Sequence, residues 1–182
     1  MKRTIYLLFS AVFSVQAANA EEFRLTSPQI EAGERIAEEQ IFNGFGCNGG
    51  NVSPALQWRN APANTKSFAV TMYDPDAPTG SGWWHWNVFN IPAEATGLTK
   101  GASSKINTLP KGSIQGRTDF GKPGYGGPCP PEGDSPHNYR ITVYALKTEK
   151  IPLDQDAPAA MLGFYLHQNL IEKAELSAYY SR

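Results

Sequence analysis

The stretch Tyr73 to Asn90, YDPDAPTGSGWWHWNVFN, gathers two carboxylates, an imidazole and three tryptophans within 18 positions. Asp74 and Asp76 stand two apart, so an extended backbone would turn both side chains to one face. Like charges that close repel, and burial raises their pKa further unless a cation or hydrogen-bond donors offset the cost. His85 is the nearest group in sequence able to do so. An imidazole held by a carboxylate favours its charged form and can then donate one N–H to the Asp and the other to an anion. Trp83, Trp84 and Trp86 would add an apolar wall beside these polar groups, the usual makeup of a small-molecule pocket. The plainer alternative is a surface turn in which each Asp bonds its own backbone amides.

A second cluster lies downstream. Gly121 to Pro131, GKPGYGGPCPP, can be neither helix nor central strand. Its glycines could present successive N–H groups as an anion-holding concavity, although an irregular connection is commoner. His137 follows at the start of a strand, where a His is more often structural. Two such His beside a double-Asp corner favour a site. The same two Asp and two His could also ligate a divalent ion. The chain has no G-x-S-x-G, H-E-x-x-H or P-loop, so no enzyme activity, cofactor or bound metal is expected. Gly44 to Gly49 formally matches G-x-G-x-x-G, but without a strong strand before it or a helix after it, it reads as a glycine loop. Asn51-Val52-Ser53 is a glycosylation sequon on paper, relevant only if the exporting cell is eukaryotic. His167, within a helical stretch, reads as structural or solvated.

The elements that must position these groups follow from periodicity. Phe68, Val70 and Met72 alternate as a strand leading into the corner, where Pro75 and Pro78 withhold N–H groups and end regular pairing. Gly80-Ser81-Gly82 turns the chain, and Trp83 to Phe89 returns as a second strand, making a hairpin with Asp74, Asp76 and His85 near one mouth. Tyr139, Ile141, Val143 and Ala145 alternate against Arg140, Thr142 and Tyr144 in the clearest strand. Phe23 to Thr26 reads as a short strand, Glu31 to Gln40 as a loop or short helix, and Gly97 to Thr118 as surface loop. Asp156 to Lys173 reads as a helix, with Asp156 as N-cap and Met161, Leu162, Tyr165, Leu166, Asn169 and Leu170 on one face.

Residues 1–20 carry Lys2 and Arg3, an apolar run from Ile5 to Val15, and Ala18-Asn19-Ala20. That is the pattern of a secretory signal peptide cleaved after Ala20, which predicts a periplasmic or secreted protein. The run is too short to span a membrane, and no transmembrane segment is expected elsewhere. Removing it leaves residues 21–182 as a single domain and takes the net charge from −1 to −3. Such mild acidity offers no electrostatic case for nucleic acid or anionic membrane. Gly 17 and Pro 14, spread among short apolar runs, favour a mainly β chain, a sandwich with few helices. Cys47 and Cys129 are the only cysteines, both in Gly-rich loops, and export to an oxidising compartment predicts that they pair.

DPDAP at 74–78, the W-x-H-W strand at Trp83 to Trp86, the Gly126 to Pro131 loop and His137-Asn138-Tyr139 together resemble the phosphatidylethanolamine-binding protein family. The exported start, GFGCNGGNVSP and YGGPCPPEGD are most similar to its bacterial Raf-kinase-inhibitor-like (YbhB/YbcL) branch. The resemblance covers nearly all of residues 21–182. It implies an antiparallel β-sandwich with a few flanking helices, one near the C-terminus, and a small anion pocket for phosphate or a phosphorylated lipid headgroup. By the same resemblance Asp74, Asp76, Pro78, Trp83, His85, Gly127, His137 and Tyr139 fall on pocket positions. Trp84 stands where several eukaryotic members carry a second His, and Cys129 where they carry Gly, so the rim differs. Three functions follow as alternatives: a binder of phosphate-type ligands, a kinase or protease inhibitor using the same pocket to meet a protein partner, and, as the least favoured, a metal-dependent hydrolase.

Overall fold

The computed structural model describes residues 21–104 and 108–182, so the expected signal segment lies outside the described residues. In chain order the strands are β1 (Arg24–Thr26), β2 (Asn43–Gly44), β3 (Cys47–Asn48), β4 (Leu56–Arg59), β5 (Ser67–Asp74), β6 (Trp83–Pro92), β7 (Gly97–Leu98), β8 (Ile114–Gln115), β9 (His137–Leu146) and β10 (Leu170–Tyr180). Among the described residues one α-helix, α1 (Ala159–Asn169), and one 3-10 turn (Glu38–Gln40) accompany them.

β5 is buried from Ser67 to Met72 on both faces, which only a central strand can be. It lies in the middle of a five-stranded sheet of order β10-β9-β5-β6-β8, antiparallel throughout. The smaller sheet β1-β4-β7 covers one face, with Leu25, Leu56, Trp58 and Leu98 packed on Phe68, Val70, Met72, Trp86 and Val88. Trp58 and Phe68 sit 5.3 Å apart between ring centroids, and the Trp58 indole N–H finds the Ala95 carbonyl at 2.8 Å. The opposite face is closed by Leu162 and Leu166 of α1 against Ala69, Phe89 and Leu146. The expected β-sandwich is therefore present, with α1 as a third layer.

Antiparallel order decides where the chemistry goes. With β6 and β9 flanking β5, the C-terminal end of β5 meets the N-terminal ends of both neighbours. Asp74, Trp83 to His85, and His137 to Tyr139 are thereby brought to one end of the sheet from positions up to 65 residues apart.

The C-terminal stretch departs from expectation. The helix begins at Ala159 with Pro158 as its cap residue, and the Asp156 side chain makes no cap bond. It ends at Asn169, and Leu170 to Lys173 already belong to β10. Apolar residues at 161, 162, 165, 166, 169 and 170 fit a helical period, but the Ala174, Leu176, Ala178 and Tyr180 alternation that follows packs on β9 and captures the residues before it. Met161, on the expected inner face, is 48% exposed. Within Gly97 to Thr118, read as loop, the short strands β7 and β8 each edge a sheet.

Within the buried part of β6, Asn90 has φ 56°, a left-handed conformation that Asn tolerates better than most residues. Its amide donates to the Ile151 carbonyl at 3.2 Å and accepts the Ile151 N–H at 2.7 Å, fastening the 151–158 connection across the sheet. No helix among the described residues is long and apolar enough to cross a membrane.

Cys47 and Cys129 form a disulfide that joins β3 to the proline-rich loop across 82 residues. Loop-closure entropy gives such a bridge about 4 to 5 kcal/mol of stability. The double variant Cys47→Ser/Cys129→Ser should lose roughly that amount in urea unfolding, and a loss below about 1 kcal/mol would contradict the entropic account.

Candidate functional site

The corner after β5 is bent rather than extended. Asp74 Oδ1 accepts the backbone N–H groups of Asp76 at 2.9 Å and Ala77 at 3.1 Å, the bonding of an Asx turn. Asp74 therefore turns inward and is 2% exposed, while Asp76 turns out and accepts the Asn138 backbone N–H at 2.7 Å. The two carboxylates diverge, and the repulsion expected from their spacing is avoided. Asp74 Oδ2 takes its remaining donor from His137 Nδ1 at 2.8 Å, in a pair buried on both sides. His137 Nε2 lies 3.5 Å from Asp134, so both ring nitrogens face carboxylates.

His85 differs from expectation in its partner. Its Nδ1 donates to the Gly126 carbonyl at 2.7 Å, with no Asp holding it. Burial lowers its pKa below the ordinary imidazole value, against smaller opposing effects from the Gly126 and Gly127 backbone and from Asp74 and Asp119. The ring is 4% exposed and neutral near pH 7, where a charged imidazolium was expected.

The glycine loop also spends its amides internally. Gly126 N–H bonds the His85 carbonyl at 2.9 Å, and Gly127 N–H bonds Asn51 Oδ1 at 2.8 Å. Asn51 Nδ2 returns to the Tyr125 carbonyl at 3.2 Å, so the sequon asparagine is a brace for this loop. Gly127 abuts the backbone of Gln40 to Phe42, and Gly126 lies under the Phe120 ring, where a Cβ at either position would collide. These glycines allow close approach and leave no nest of free N–H groups.

A cavity of about 180 Å³ opens between these elements, lined by Phe45, Asp74, Ala77, Pro78, Thr79, Trp83, His85, Phe120, Cys129, Pro130, Pro131 and Tyr139. Of the residues singled out from the sequence, Asp74, Pro78, Trp83, His85 and Tyr139 line it. Asp76, Gly127 and His137 stand behind the wall, where they hold Asn138, Asn51 and Asp74. Sequence reasoning missed Phe120 and Phe45. Phe120 is placed by Asp119, whose N–H and carboxylate bond the Trp84 carbonyl and N–H at 3.1 and 2.7 Å and extend the edge of β6. Its ring meets Trp83 at 5.5 Å and His85 at 5.4 Å, both edge-on. Phe45, between Gly44 and Gly46 with φ 54°, is 68% exposed at the rim. The aromatic between two glycines was the available signal.

Two donors lining this cavity have no protein partner. Trp83 Nε1 and the Tyr139 hydroxyl are both buried without a hydrogen bond. Burial first, and the nearby Asp74 carboxylate second, hold the Tyr139 phenol far above its ordinary pKa, so it remains a donor. Asp74 acts on the phenol both electrostatically and as a prospective hydrogen-bond acceptor, although no bond of good geometry is formed between them. Among the described residues no group of three or more His, Cys, Asp or Glu is arranged to hold a metal ion. A wider groove of about 890 Å³ runs over β4 and β7, lined by Arg59, Glu94, Lys100 and Lys111 among others. It is open, Lys100 is paired with Glu39 at 3.0 Å, and it contains none of the buried unpaired donors.

Sheet, helix layer and strand-end cavity together define a β-sandwich protein with a small pocket. A profile of the Phosphatidylethanolamine-binding protein family matches residues 26–181, and the chain belongs to that family. It is 51% identical over 179 residues to the UPF0098 protein YbcL of Escherichia coli K12, covering 98% of each chain. It is 48% identical over 158 residues to YbhB of the same strain, covering 87% of this chain and 99% of that one. The crystal structure of E. coli YbcL, described as a new member of the mammalian PEBP family, superposes with a TM-score of 0.87 at 53% identity, over 89% of this chain and 99% of that one. These relatives support the bacterial YbhB/YbcL branch.

The depressed pKa of His85 sets a sign for stability against pH. Unfolded, the ring takes a proton near its ordinary value of about 6.5, whereas folded it does so only at lower pH. This contribution is complete above about pH 6.5 and is lost as the pH falls below it. His85→Phe should therefore have a flatter stability profile than the parent between about pH 7 and pH 5. NMR of the His85 ring checks the cause: titration at or above the free-imidazole value would contradict it.

Proposed function

We propose that this protein binds a small oxyanion, phosphate or the phosphorylated head of a larger molecule, in the cavity between Asp74, Trp83, His85 and Tyr139, and that it binds without catalysing a reaction. The observation that carries this reading is the pair of buried, unpartnered donors, Trp83 Nε1 and the Tyr139 hydroxyl, on one cavity. Leaving such a donor unsatisfied costs about 1 to 3 kcal/mol, and of the buried unpartnered side-chain atoms among the described residues, which include Gln40 Oε1, Asn87 Oδ1 and Ser113 Oγ, these two belong to residues that line this cavity. Two of them on residues that line one small space suit a ligand rich in acceptor oxygens. The volume, about 180 Å³, falls below the ~300 Å³ at which pockets enclose drug-sized ligands, so a headgroup fits and a whole lipid does not. The family name agrees with this chemistry. Binding is favoured over hydrolysis because Asp74 already accepts three hydrogen bonds and Asp76 points away, which leaves no spare pair of carboxylates for a metal or for general-base work.

Residues 1–20 and the Cys47–Cys129 bridge support export to an oxidising compartment, the periplasm in a bacterium. A second reading, an inhibitor or partner protein docking over the same pocket, is favoured by one feature: Phe45 stands exposed on the rim, beside Pro130 and Pro131.

Calorimetric titration with inorganic phosphate near pH 6 tests the binding reading. Tyr139→Phe removes one donor with little change of shape, and Trp83→Phe removes the other together with part of the ring; each should weaken binding about tenfold or more, near 1.4 kcal/mol at the least. Unchanged affinity in both variants would contradict it.

A further inference from the structure

We propose that the cavity selects an oxyacid still carrying a proton, such as a phosphate monoester in its monoanionic form, which donates that proton in a hydrogen bond to His85 Nε2. This rests on the binding function above and adds the protonation state and class of the ligand.

The tautomer of His85 is set by its backbone partner. The Gly126 carbonyl can only accept, so His85 Nδ1, 2.7 Å away, must carry the hydrogen. In a neutral imidazole the other nitrogen is then an acceptor, and none of the described residues donates a hydrogen bond to Nε2. The ring is fixed in that orientation. Phe120 meets it edge-on at 5.4 Å and Tyr139 at 5.2 Å, while the Gly126 N–H bonds the His85 carbonyl and holds loop and strand in register. Several titratable groups stand near the ring, including His137 behind Asp74 and Tyr125 beside Gly126. From β5 there is Asp74, from the segment after β8 there is Asp119, and from β9 there is the Tyr139 phenol. Both carboxylates would favour protonation of His85, but desolvation outweighs them.

The residues lining the cavity thus carry two unpartnered donors, Trp83 Nε1 and the Tyr139 hydroxyl, one acceptor, His85 Nε2, and one carboxylate, Asp74. No Lys or Arg lines it. A dianion would set a bare oxygen against the His85 lone pair and two charges beside Asp74. A monoanionic monoester fits better, with two oxygens accepting from Trp83 and Tyr139 and its P–O–H donating to Nε2. A phosphodiester has no such proton and leaves Nε2 unsatisfied. By this chemistry the pocket prefers a free phosphate monoester to the phosphodiester of an intact phospholipid.

Methyl phosphate, dimethyl phosphate and sulfate separate the possibilities, titrated calorimetrically into the full mature protein at about pH 6 and pH 8. Methyl phosphate, with a second pKa of about 6, should bind at least about tenfold more tightly at the lower pH. Sulfate and dimethyl phosphate, neither of which carries a proton there, should bind at least about tenfold more weakly than methyl phosphate at pH 6. His85→Leu keeps the bulk but lacks the acceptor, and should bring the three affinities together. Sulfate binding as tightly as methyl phosphate would overturn the proposal and place the proton on His85, leaving oxyanion binding intact. Equal methyl phosphate affinity at both pH values would overturn it too. Failure of all three to bind would overturn the binding function along with it.

Discussion

Asp74 is the group on which the rest of the site depends. A carboxylate 2% exposed survives only if its oxygens are filled, and here three donors fill them: the Asp76 and Ala77 amides and His137 Nδ1. Each bond has a structural consequence. The two amides bend the DPDAP corner so that it leaves the sheet, and the His137 bond ties the end of β5 to the start of β9. Removing one partner of such a buried pair typically costs about 3 to 5 kcal/mol, because the other is left buried and unpaired. Asp74 thus fixes the end of β5 against the start of β9, which carries Tyr139 to the cavity.

Polar satisfaction is nearly complete around this centre and stops at the cavity wall. Loop amides at Gly126 and Gly127, the Asn51 amide, both His137 nitrogens and His85 Nδ1 all have partners within the protein. Trp83 Nε1 and the Tyr139 hydroxyl do not, and both border the same space. That contrast separates a scaffold built from hydrogen bonds from a surface that has some to offer. Phe120, Pro78 and Pro130 make the remaining wall apolar, which strengthens any hydrogen bond formed inside it.

Much of this was legible in the sequence. Period-two alternation marked β5 and β9, a run of aromatic and β-branched residues marked β6, and the clustering of Asp, His and Trp pointed to the end of the sheet where they meet. Two things were not legible. Partner assignment depends on which strands lie side by side: His85 is nearest Asp74 in sequence, but β9 is as close in space and supplies His137 instead. Burial decides protonation, so a His near carboxylates can still be neutral when desolvation outweighs their attraction. The tail shows the same limit in another form, since the apolar spacing at 161 to 170 suits a helix and only pairing with β9 turns Leu170 to Lys173 into strand. Phe120 escaped notice because its place is set by the two Asp119 bonds to Trp84, and no periodicity records them.

The central claim is that Trp83 Nε1 and the Tyr139 hydroxyl are held open for a ligand's oxygens, and the indole N–H signals report on it directly. The chain has four tryptophans, of which Trp58 and Trp86 already donate to Ala95 and Gln115. In a ¹H–¹⁵N spectrum near pH 6, adding inorganic phosphate should move the Trp83 indole proton downfield in a saturable way, while the Trp58 and Trp86 signals stay in place. A Trp83 signal that does not move while phosphate binds by calorimetry would contradict the account.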